Sequence, residues 1–162
     1  MRNRQFTNTT ACRAYLIAVA MLLVSGCAAT IELASPEEDV AAKLFAAPEG
    51  KANLYVTRKD QFTGSAVLFQ VVVDGRVEGG LAPGTYRMIT VEPGRHIVSV
   101  TTAENQSTQK IDAVAGKCYF FEVKPKIGMI AARVEVIPLS EPDGQKAVAQ
   151  NSLAEGFQFD TG

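Results

Sequence analysis

V-L-F-Q-V-V-V-D-G-R-V-E, Val67 to Glu78, sets apolar side chains at Val67, Phe69, Val71 and Val73 and then breaks at an Asp-Gly pair. Successive strand side chains point to opposite faces, so those four residues share one face of a strand and are core candidates. Asp74 and Gly75 tolerate the positive φ angles of a two-residue hairpin turn, which sends the chain back as a second strand from Arg76 to Glu78. The same grammar continues on both sides. Strands are predicted at Ala52 to Arg58, Ser65 to Val73, Arg76 to Glu78, Thr85 to Val91, His96 to Thr102, Thr108 to Ala113, Lys117 to Val123 and Met129 to Pro138. Glu92-Pro93-Gly94 and Ala115-Gly116 supply further reversals, and Tyr119, Phe121 and Val123 share a second core face. Eight short strands with close turns predict an all-β fold, a small antiparallel β-sandwich or barrel.

Short helices are expected to flank it. S-P-E-E at Ser35 to Glu38 places a Ser cap, a Pro at the first helical position and a Glu three residues after the Ser. Val40, Ala41, Leu44 and Phe45 then recur at helical spacing, which predicts a helix over Pro36 to Ala46 that packs on the domain or frays as a tether in preference to lying on the membrane, since Lys43 is its only cation. Downstream, S-E-P-D at Ser140 to Asp143 opens a helix over Pro142 to Leu153. Gly156 to Gly162 reads as a loose tail, although the alternation of Phe157 and Phe159 also fits an edge strand or a segment docking on a partner.

The N-terminus has a different character. Arg2, Arg4 and Arg13 precede an uncharged run, AYLIAVAMLLV at Ala14 to Val24, in the layout of a signal peptide. About eleven residues at ~1.5 Å each fall short of a hydrocarbon core of roughly 30 Å, so the run is not a permanent span. V-S-G-C at Val24 to Cys27 resembles the lipobox of bacterial lipoproteins, in which a diacylglyceryl group joins the cysteine sulfur and the signal is cut before it. Two or more acyl chains anchor stably where one does not. Cys27 is therefore the expected lipidation site and the membrane the expected partner. Ala28 stands where an Asp would signal retention in the inner membrane of enteric bacteria, which favours the outer membrane, periplasmic face.

Cleavage before Cys27 removes Arg2, Arg4 and Arg13, leaving 13 of the 16 basic residues against all 17 acidic ones, a net charge of −4. Such a surface argues against nucleic acid, whose partners concentrate Lys and Arg. Cys12 leaves with the signal and Cys27 is blocked by lipid, so Cys118 stays alone without an intramolecular disulfide. With one histidine, His96, and no cysteine pair, a Cys/His zinc site cannot be assembled. No cofactor is expected.

Several quoted segments resemble a known family: L-Y-V-T-R at Leu54 to Arg58, F-T-G-S-A at Phe62 to Ala66, V-V-D-G at Val72 to Gly75, P-G-R-H at Pro93 to His96, and A-G-K-C-Y-F-F at Ala115 to Phe121. Together they are similar to the bacterial lipoprotein domain of unknown function numbered twenty-eight forty-six. V-D-G followed by P-G-R-H also resembles PEGA-type surface β domains. The resemblance implies an immunoglobulin- or prealbumin-like sandwich located in the cell envelope, with no established reaction and no catalytic residue to carry over. Cys118 departs from the family, whose members more often carry a small polar residue there.

The organisation expected is a signal peptide over 1–26, a lipid-anchored tether with a short helix over 27–50, the β-sandwich over 51–139, and a helix and tail over 140–162. No reactive constellation stands out. His96 begins a strand beside a turn without a nucleophile motif. Asp74, Glu92 and Asp112 sit at turns or strand edges, where local hydrogen bonding explains them. Gly79, Gly80 and Gly84 lack the spacing of a nucleotide loop and read as turn residues. Lys124-Pro125-Lys126 reads as a solvated turn in which Pro interrupts pairing. Cys118 reads as a free structural thiol. Two function classes follow: a lipid-anchored, non-catalytic module that binds or scaffolds an envelope protein or glycan, and a cell-wall hydrolase with an unrecognised carboxylate site.

Overall fold

The computed structural model describes residues 31–155. The signal segment, Cys27 and the tail from Gly156 lie outside the described residues. The chain runs α1 (Pro36–Ala42), β1 (Ala52–Arg58), β2 (Phe69–Val73), β3 (Arg76–Leu81), β4 (Thr85–Val91), β5 (Gly94–Thr101), β6 (Gln106–Ala113), β7 (Cys118–Lys126), β8 (Arg133–Leu139), α2 (Glu141–Ala149) and β9 (Ser152–Leu153). The strands form a five-stranded sheet, β8-β7-β1-β4-β9, and a four-stranded sheet, β3-β2-β5-β6. The fold is the all-β sandwich expected. Its pairing is mixed rather than wholly antiparallel, because β1 runs parallel to β7 and β9 parallel to β4.

The core between the sheets comes from alternation. Leu54 and Val56 of β1, Phe69 and Val71 of β2, Val98 and Val100 of β5, Phe121 and Val123 of β7, and Val134 and Val136 of β8 all face inward and are buried. Each such side chain contributes about 1.5–3 kcal/mol when taken from water. Asp74 (φ 50°) and Gly75 (φ 82°) both adopt the left-handed region, so the β2–β3 hairpin has the turn its residues call for.

β1 is buried at every position because its other face is covered as well. Beneath the helices Tyr55 stacks on Phe120 at 5.0 Å, and Phe45 meets both rings edge-on. α1 is pinned there by two tyrosines: Tyr55 Oη donates to the Ala42 carbonyl, and Tyr86 Oη to the Asp39 side chain at Oδ1, 2.9 Å away. Ser35 and Glu38 cap its start reciprocally, as the sequence implies. α2, capped by Ser140, comes so close that a Cβ on Gly144 would lie 2.1 Å from Phe120 Cγ, so only glycine fits. Leu33 bridges Ala154, which brings the two ends of the described chain together beside β9.

Several boundaries differ from expectation. β2 starts at Phe69 rather than Ser65, α1 ends at Ala42, and α2 ends at Ala149, after which β9 adds an edge strand. Gly79 and Gly80 lie within β3, not in a turn, paired with Val71 and Gln70 beside the register shift between Val71 and Val72. β7 continues through Lys124, Pro125 and Lys126, paired with Glu135, Val134 and Arg133. Pro125 does not interrupt it for a geometric reason. Its partner Val134 bonds away from β7, to Asn105, so Pro125 points the other way, past the end of the β1 pairing at Thr57.

Candidate functional site

The parallel β1–β7 pair delivers the loops after both strands to one end of the sandwich. Arg58, the last residue of β1, has no exposed surface, and its guanidinium turns inward against the Phe69 ring, 4.1 Å from its centroid. It donates to the carbonyls of Val67 (2.7 Å), Leu81 (3.1 Å) and Gly64 (2.7 Å), folding the 59–68 loop over itself. Burial lowers its pKa to about 10. A Cβ on Gly64 would sit 3.1 Å from Pro125 Cβ, so this loop touches the stem of the loop after β7. At its outer edge Phe62 is 95% exposed.

The loop after β7 shows the same pairing of rigid backbone and bare apolar side chains. Ile127, Met129 and Ile130 are 90%, 96% and 96% exposed. Beneath them Glu104, from the β5–β6 turn, accepts hydrogen bonds from the N–H groups of Met129 (3.0 Å), Ile130 (3.4 Å) and Ala131 (3.2 Å). Those bonds hold its carboxyl below the ordinary range. Gly128 makes the approach possible, since a Cβ there would lie 2.0 Å from Glu104 Oε2 and from the Ala131 carbonyl oxygen. Residues 129–132, expected as the start of a strand, form this loop instead.

A second feature lies on the helix-covered face. A cavity of about 380 Å³ is lined by Lys59, Glu122, Leu139, Asp143, Lys146, Ala147 and Gln150. Glu122 is buried and meets Lys59 at 2.8 Å, with Lys124 farther off at 3.8 Å. Asp143 lies at the α2 N-terminus, where Ser140 Oγ donates to it. The cavity therefore holds two carboxylates and two amines, but both carboxylates already serve the fold.

His96 sits at the opposite end of the sandwich. Its Nδ1 is 2.6 Å from Asp74 Oδ2 and its Nε2 is 2.7 Å from the Glu92 carbonyl. Both partners accept hydrogen bonds, so the ring is best served with a proton on each nitrogen, and its pKa is raised, first by the bond to Asp74. Burial raises the Asp74 carboxyl, but the bonds from His96 and the Ile97 N–H outweigh it and leave the group below its ordinary value. Asp112 and Lys110 line the adjoining cavity of about 430 Å³. Glu92 pairs instead with Lys51 at 2.7 Å.

Cys118, half-buried, donates its thiol to the Phe45 carbonyl at 3.2 Å, and burial raises its pKa. Among the described residues, no three His, Cys, Asp or Glu side chains gather as a metal site. Sequence reasoning placed His96, Asp74 and Cys118 correctly on strands and turns. It missed Arg58, Glu104 and the apolar tip, although I-G-M-I between K-P-K and A-A-R is a legible apolar run bounded by charge.

The comparisons with known proteins agree with the resemblance read from the sequence. Residues 48–135 match the family model described as protein of unknown function DUF2846, a span that takes in Arg58, Glu104 and the tip. The chain is also similar to an uncharacterized protein of Haemophilus influenzae, 34% identical over 153 residues, which covers 94% of this chain and 89% of the relative. The protein belongs to the DUF2846 family of proteins of unknown function.

Proposed function

We propose that this protein is a lipid-anchored module of the bacterial cell envelope that works by binding rather than by catalysis. Cys27 carries the lipid, and the sandwich is held at the membrane surface, on the periplasmic face of the outer membrane. Export and anchoring follow from the positive N-terminus, the short apolar run and V-S-G-C at Val24 to Cys27. The observation that carries the binding reading is the division of labour among side chains. The groups suited to acid, base or nucleophilic chemistry hold the fold: His96 by both ring nitrogens, Glu122 by Lys59, Cys118 by the Phe45 carbonyl. The apolar groups that a partner would bury, Phe62, Ile127, Met129 and Ile130, stand in solvent on two pinned loops.

The competing hydrolase reading has one observation in its favour, the cavity that brings Glu122 and Asp143 together. Incubating the purified protein with isolated cell-wall sacculi separates the two. Release of soluble wall fragments at the level of buffer alone is expected. Release above that level, abolished by Glu122→Gln in a protein that remains folded, would make the protein a hydrolase.

A further inference from the structure

We infer that the tip formed by Ile127, Gly128, Met129 and Ile130 is a membrane-insertion element, which seats the domain on the lipid bilayer as a second foothold beside the anchor. The inference rests on the lipid-anchor reading, because a small apolar contact counts for most when a tether already holds the domain at the surface.

Three features of the tip fit a bilayer. The first is shape: side chains left 90–96% exposed touch almost nothing of their own domain, so the tip protrudes, and of its residues Ile127 also lines a cavity of about 420 Å³ with Lys126 and Arg133. The second is the backbone. Polar main-chain groups that approach hydrocarbon must be satisfied within the protein. Met129, Ile130 and Ala131 give their N–H groups to Glu104, so the turn carries its own acceptor. The third is charge. Lys124 and Lys126 on β7 and Arg133 on β8 stand directly behind the apolar residues. Lys124 lies 3.8 Å from Glu122 and Lys126 2.8 Å from Glu135, while Arg133 has no ion pair among the described residues. Long basic side chains in that position reach anionic headgroups while the tip reaches the acyl boundary.

Phe62 on the neighbouring loop extends the same end of the molecule. Placement adds a consequence. The described chain enters beside β9, where Leu33 bridges Ala154, whereas the tip leaves the β7–β8 pair across the sheet. Four strand spacings of ~4.8 Å separate β9 from β8, roughly 20 Å. Two attachments so far apart would restrict the domain's turning at the membrane to rotation about the line that joins them.

The test uses the full-length lipidated protein in vesicles of phosphatidylethanolamine and phosphatidylglycerol. In a Cys118→Ala background, an environment-sensitive fluorophore is placed by Met129→Cys or, as a control at the other end of the sandwich, by Arg95→Cys. Flotation of the protein with vesicles, and its loss in Cys27→Ser, reads the anchor separately. Quenching by brominated lipid at position 129, at least about threefold that at 95, is expected for a tip at the acyl boundary. A protein that floats while both labels report water overturns the insertion and leaves the anchor standing. A shift at 129 seen in native envelopes but not in protein-free vesicles overturns it in favour of a protein partner. If the parent does not float, the anchor reading falls, and quenching at 129 at saturating vesicle concentration then decides the tip alone: its presence supports insertion and its absence overturns it.

Discussion

Arg58 is a buried cation with no carboxylate partner among the described residues, held by three carbonyls and an aromatic ring, with Nε left unsatisfied. A lysine would keep the charge but not the planar fork that reaches Gly64, Val67 and Leu81 together. Arg58→Lys should therefore lower stability by about 2–4 kcal/mol in urea unfolding; a loss below about 0.5 kcal/mol would show that the carbonyl contacts matter little. His96 makes a pH prediction. Its folded pKa lies above the unfolded value, so its contribution is complete below about 6.5 and fades as pH rises through the folded value. Asp74 is depressed and contributes above about 3.8, so the pair is strongest in mildly acid solution. Arg95, Lys110 and Asp112 share that surface and temper the effect. The melting temperature of the parent should exceed that of His96→Gln most near pH 5.5 and least near pH 8.5; a gap that widens with pH would contradict the ion pair. The Asp74-Gly75 turn and the Ser35 cap were legible because they act within a few residues. Arg58 was not, because its acceptors lie 6, 9 and 23 positions away.

Among the elements, β6 solves a problem set by β8. β8 is the edge of the five-stranded sheet, and an open edge invites pairing with other chains. Asn105, Ser107 and Gln109, spaced by two, close that edge with side chains. Asn105 takes both the N–H and the carbonyl of Val134, Ser107 accepts from Val136 N–H, and Gln109 donates to the Val136 carbonyl. This explains why the inward positions at the start of β6 are polar while the core beside them is apolar. Asn105→Leu should cost about 2–3 kcal/mol and speed hydrogen exchange at Val134 well beyond the global change seen at Val71 or Val100. Equal protection at Val134 in parent and variant would remove the edge-capping role. The alternating strands themselves were readable because their period is set by burial. The β1–β7 pairing and the continuation of β7 through Pro125 were not, since both depend on partners distant in sequence.

At the scale of the whole molecule, the sandwich has one end closed by the His96–Asp74 hairpin contact and the other presenting two pinned, apolar-tipped loops. Its outer face is covered by α1 and α2, so Cys118, Phe120 and Glu122, which alternation assigns to the less apolar side of β7, are half-buried or buried there too. The layered fold could be read from alternation and turns. The second layer under the helices could not, because short capped helices do not reveal what they cover. The central claim is that this body works tethered by lipid at Cys27, and metabolic labelling with a radioactive fatty acid tests it most directly. The mature parent should carry the label and Cys27→Ser should carry none at equal expression; equal labelling of both proteins, or of neither, would contradict it.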